Sequence, residues 1–183
     1  MRGAGLMRRE LRQPRSGQTA HTVASRVAVF KHPIHPMLVV FPVAFLSTPL
    51  LTDLLFLWLQ QPYWAVTSYW LVVGGLAMGL FAACFGIADM FLLRSVRRHV
   101  SAWNHFIAGV MLLALAAAGV WWRHGDPLAA VWPFGLLLAA VTAGMTFVTG
   151  WLGGTLSFRH GVGVYGEGDP AEDAGDDSEP AGE

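Results

Sequence analysis

The run His32-Pro33-Ile34-His35-Pro36 sets two imidazoles three residues apart, a spacing that suits metal chemistry. Each histidine precedes a proline, which disfavours the α region for the residue before it, while Pro36 suits the first turn of a helix. Both rings are therefore expected on a stiff, extended lead-in, where neutral ring nitrogens can take a transition metal at a reduced entropic cost. Asp89, His105 and His160 join them as candidates. His with carboxylate suits zinc or iron at about 2.0–2.2 Å per bond, and two His facing each other from different helices suit haem b. Asp89 could instead orient an imidazole from behind, or pair with Arg94 or Arg97.

These residues lie far apart in the chain, so the elements carrying them must bring them together. Of the 183 residues, 54% are hydrophobic and 13% charged, a balance too apolar for a soluble domain of this length. Four stretches, 37–59, 64–93, 102–122 and 128–156, have the roughly twenty apolar residues that cross a hydrocarbon core of about 30 Å. The connections between them are short, which favours antiparallel neighbours. The predicted fold is an all-α integral membrane four-helix bundle, up-down-up-down, over residues 31–164. A basic arm, 1–30, and an acidic tail, 165–183, are expected to be disordered.

The charges give this bundle a direction. Net charge is zero, yet every Lys and Arg except Arg123 falls at one end. The excess of basic residues in cytoplasmic segments then sets both termini inside a bacterial inner membrane, as a multi-pass protein. Trp58, Tyr63, Trp64, Tyr69, Trp121, Trp122 and Trp132 gather at the opposite end, as an interfacial belt would. In this arrangement the second span ends at Asp89, the third begins near His99, Asn104 and His105, and the fourth ends at His160, all on the side of His32 and His35. With Ser101 as N-cap, His105 sits roughly 6 Å into its helix. An ionisable group at that depth is expected to face the bundle interior.

Other features argue against alternatives. No ionisable residue falls near the centre of a span, whereas pumps and ion pathways place such groups there. Asp53 lies roughly 25 Å along the first span from Pro36, near the far face and outside the His cluster. Thr142, Thr146 and Thr149 form a weakly polar stripe that is expected to bond its own helix, and Met145 is expected to pack in the core. Small-residue stripes, Gly75/Gly79/Ala83, Ala82/Gly86 and Gly150/Gly154, suit close helix contacts within or between chains. The lone Cys84 excludes an intrachain disulfide framework and reads as a buried packing residue.

Residues 32–42, the Gly86-Ile87-Ala88-Asp89 segment, His105, and residues 150–164 together resemble the bacterial membrane family catalogued as domain of unknown function 2231. The resemblance implies a four-helix inner-membrane module. Some members of that family are joined to iron–sulphur or cytochrome-like domains, which implies redox surroundings.

The expected function is a non-catalytic, redox-associated or metal/haem-binding membrane module. His35, His105 and His160 are the cofactor ligands, with His32 and Asp89 added for a bare divalent metal. The alternatives are a ligand-free scaffold or accessory subunit that binds a protein partner, and a metal-dependent membrane enzyme. Expected partners are the lipid bilayer, a redox or other membrane protein, and a second copy of the chain; no nucleic acid is expected.

Overall fold

The computed structural model describes residues 28–29, 32–92, 97 and 100–160; the expectations for the basic arm, the acidic tail and His99 lie outside these. A two-residue antiparallel ladder, β1 (Ala28–Val29) with β2 (His32–Pro33), leads into the helices. Four helical spans follow, Ile34–Leu59, Pro62–Leu92, Val100–Arg123 and Val131–Ser157, each long and apolar enough to cross a membrane. The predicted all-α four-helix membrane bundle is therefore the observed fold.

Proline divides the first span into α1 (Ile34–Leu38), α2 (Val40–Ser47) and α3 (Pro49–Leu59). Pro42 and Pro49 bring no N–H and crowd the carbonyls four residues back. The hydroxyls of Ser47 and Thr48 turn onto the carbonyls of Val43 and Ala44, at 2.8 and 2.6 Å, and satisfy acceptors near the break. Gln60 closes α3 in the left-handed region, with φ 53°, and Pro62 opens α4 (Pro62–Leu92) where its missing N–H is not needed. The third span is α5 (Val100–Arg123). Beyond it, Asp126 Oδ1 accepts from the amides of Leu128 and Ala129 at 3.0 and 3.1 Å, as a capping carboxylate does. A π-helical turn, Val131–Gly135, then runs into α6 (Leu136–His160).

The spans form a ring in chain order, first against second, second against third, third against fourth, and fourth against first. Small residues set the close approaches: Leu46 lies against Gly75, Pro42 and Leu113 against Gly79, and Val72 and Leu138 against Gly119. These contacts run in opposite chain directions, so sequential spans are antiparallel. Leu46, Leu112 and Ala116 form the central apolar cluster, with Leu76 and Met145 packed on it. Without a hydrophobic drive between helices in lipid, this interdigitation is part of what holds them together.

Three local expectations need correction. Cys84 is exposed on the bundle's outer face, because the inward face of α4 runs Gly75, Gly79, Ala82 and Gly86. Gly150 meets open space, whereas Gly153 lies against His105. Ser101 lies inside α5, which is already helical at Val100, and so cannot be its N-cap.

Candidate functional site

His35 is not on an extended segment. His32 lies in β2, but His35 is the second residue of α1 and its carbonyl accepts the amide of Val39 at 3.1 Å. Pro36 fits there because first-turn N–H groups have no intrahelical partner. The α conformation that a following proline disfavours is anchored by a side-chain bond: His35 Nδ1 lies 2.8 Å from the carbonyl oxygen of Ala82 on α4. A carbonyl can only accept, so Nδ1 carries the hydrogen and Nε2 of the neutral ring keeps its lone pair.

His105 repeats this arrangement on the other side of the bundle. Its Nδ1 lies 3.1 Å from the carbonyl oxygen of Thr149 on α6, which again leaves Nε2 as the acceptor. In both cases a glycine stands four residues beyond the carbonyl, Gly86 after Ala82 and Gly153 after Thr149. A helical carbonyl points towards the residue four ahead, so a side chain there would block the approach. A Cβ on Gly86 would stand 2.8 Å from Cε1 of His35, and one on Gly153 would stand 3.0 Å from Cε1 of His105.

The two rings meet edge to face, with centroids 6.3 Å apart and planes at 78°. Both are half-buried. Of the predicted site residues, His35 and His105 are thus brought together. Asp89 is half-buried near the end of α4, three residues beyond Gly86. Among the described residues no three of His, Cys, Asp and Glu form a group able to hold a metal ion, so Asp89 does not complete such a set with the pair. The side chains of His32 and His160 lie outside the described residues.

The opposite end holds a site that sequence reasoning missed. Arg123 Nη2 donates to Asp53 Oδ2 at 2.6 Å and to the Gly135 carbonyl at 2.8 Å. The two side chains are 1% and 0% exposed, a degree of burial at which an ion pair needs good geometry to offset desolvation. The sequence did carry a signal: Asp53 stands eighteen residues beyond His35, and Arg123 eighteen beyond His105. Eighteen residues are five helical turns, which return a side chain to the same face.

The same register holds on the even spans, where Ser68 precedes Ala82 by fourteen residues and Gly135 precedes Thr149 by fourteen. The molecule is thus two helical hairpins of common plan, the first two spans and the last two, each offering one His and one charge to the shared interior.

A multi-pass bundle with a paired-imidazole end and a buried ion-pair end defines the class: an integral membrane module built on polar contacts between spans. The chain matches the family described as predicted membrane protein (DUF2231) over residues 31–166, and it belongs to that family. No curated protein and no solved structure matches it.

Proposed function

We propose that the His end is a ligand site at which His35 and His105 present two Nε2 lone pairs to one transition-metal centre. The observation that carries this is the pairing of rings whose Nδ1 atoms are both engaged by backbone, the orienting arrangement of metal-ligating histidines. The two ring centroids stand 6.3 Å apart, close enough for both rings to serve one centre. Protein zinc sites use three or four ligands, whereas a haem iron would be held by His35 and His105 alone. The donor set therefore favours haem over a bare ion, with no ligand required from His160, His32 or Asp89. Bound haem would supply one-electron redox chemistry, in keeping with a redox-associated role. The distribution of Lys and Arg supports the bacterial inner membrane with both termini cytoplasmic, a topology checked by fluorescence of a C-terminal reporter.

A second reading has its own support. Each His bond joins the two spans of one hairpin, so the pair would also serve as two clamps in a ligand-free scaffold that binds a protein partner. His105→Asn separates the two, because an asparagine amide can imitate Nδ1–H but offers nothing in place of Nε2. The experiment is a reduced-minus-oxidised spectrum with metal analysis on the natively purified protein. A Soret band or stoichiometric metal, lost in a folded His105→Asn protein, supports the ligand site. A folded wild type that stays free of cofactor after reconstitution with haem and with divalent metals rejects it and leaves the clamp.

A further inference from the structure

We propose that Asp53, Ser68 and Arg123 bind a water molecule between the first three spans, at a buried site independent of the His pair. Three side-chain atoms carry the inference: Asp53 Oδ1, Ser68 Oγ and Arg123 Nε are all buried and have no hydrogen-bond partner. Their residues are 0%, 0% and 1% exposed, and such unpaired groups are rare in protein interiors. Oδ1 and Nε belong to the two groups already joined by the 2.6 Å contact between Asp53 Oδ2 and Arg123 Nη2, so they lie beside that contact.

Packing register brings Ser68 to the same level. Leu46 packs on Gly75; two turns further along the first span is Asp53, and two turns back along the second is Ser68. Val72 packs on Gly119; one turn from that contact, in the same sense, come Ser68 and Arg123. The common plan of the hairpins gives the same answer. Arg123 meets Gly135 across the second hairpin, and the equivalents of these residues in the first are Asp53 and Ser68.

Charge selects the guest. The carboxylate and guanidinium cancel, so a cation would meet the Nε–H donor and an anion would meet Oδ1. Water donates to Oδ1, accepts from Nε–H and takes either role towards the Ser68 hydroxyl, which gives it the two to four partners that buried waters have. One such molecule satisfies all three atoms.

The test is water-to-protein magnetisation transfer by solid-state NMR on full-length, uniformly isotope-labelled protein in lipid bilayers. The Arg123 Nε–H is identified by its through-space correlation to an aspartate carboxylate carbon. The expected result is transfer from water to this Nε–H at mixing times that leave the amides of Leu112 and Ala116 unlabelled. Ser68→Ala is expected to retain the transfer, and Ser68→Val to lose it while keeping the Asp53–Arg123 correlation. An Nε–H as dry as those core amides overturns the proposal, as does a direct Nε contact to Asp53 Oδ1 that closes the fork. If Ser68→Val does not fold, the wild-type and Ser68→Ala measurements still decide the matter.

Discussion

The first and second hairpins use the same device at one end and opposite charges at the other. His35 over Gly86 and His105 over Gly153 are equivalent, each bonded to the carbonyl one turn before its glycine. Eighteen residues on, the first hairpin carries an acid and the second a base. Where the hairpins agree, each presents an imidazole on its own. Where they differ, neither is complete, because among the described residues Asp53 is neutralised by Arg123 from the other hairpin. The repeated feature thus builds the site, and the differing feature fixes which surfaces of the hairpins face each other.

The largest effect is expected from breaking that difference. Asp53→Asn or Arg123→Gln leaves a buried partner without its counter-charge and should destabilise the protein by about 3–5 kcal/mol, read from reversible unfolding in mixed micelles. Exchanging the charges, Asp53→Arg with Arg123→Asp, should restore only part of this. An aspartate at position 123 would face the Gly135 carbonyl, which accepts from Arg123 at 2.8 Å in the native protein, so two acceptors would meet. Full rescue by the exchange would mean that only the ion pair matters and the hairpin environments are interchangeable.

Next in size come the glycines under the imidazoles. Gly86→Ala and Gly153→Ala should each cost about 1–3 kcal/mol as overpacking. Gly86→Ala is expected to be the worse, because its Cβ would stand 2.8 Å from His35 against 3.0 Å from His105 at Gly153. Gly109→Ala and Gly144→Ala are the controls, since a Cβ at either would meet no group of another helix within 4 Å. Equal losses at all four positions would show that helix flexibility, and not access to the carbonyls, is what these glycines provide.

The spans were legible in the sequence because apolar length is a local property: 37–59 and 102–122 foresaw Ile34–Leu59 and Val100–Arg123 to within three residues at either end. His105 was legible as inward-facing for a similar reason, depth along a helix. The Asp53–Arg123 pair was not, because each residue was placed alone, near a face where a single charge can reach headgroups. Facing is also hard to read when small residues are dense. Gly150 and Gly154 form a four-residue stripe, yet the helix turns Gly153 towards His105. His35 was assigned an extended backbone from its proline neighbour, a local preference that the tertiary bond to Ala82 overrides.

A smaller effect sharpens the likeness between the hairpins. His35→Ala and His105→Ala should each lose about 0.5–1.5 kcal/mol, the usual worth of one hydrogen bond, and the corresponding Asn variants should recover most of it. Recovery at one position alone would mean that the 2.8 and 3.1 Å contacts are not equivalent clamps.

The smallest effect belongs to the threonines that run between the two ends of the second hairpin. Thr142, Thr146 and Thr149 donate to the carbonyls of Leu138, Thr142 and Met145 at 2.7, 2.8 and 2.8 Å, each four residues back in the same helix. The equivalents of Thr142 and Thr146 on α4 are Gly75 and Gly79, which have no hydroxyl to offer. If these hydroxyls only occupy their own backbone, Thr146→Val keeps the shape, leaves the helix ladder intact and should change stability by no more than about 0.6 kcal/mol, the average for side-chain hydrogen bonds inside membranes. A loss several times larger would mean that the Thr146 hydroxyl makes a contact across the bundle. The stripe would then be a polar path from the His pair to the ion pair, present in one hairpin and missing from the other.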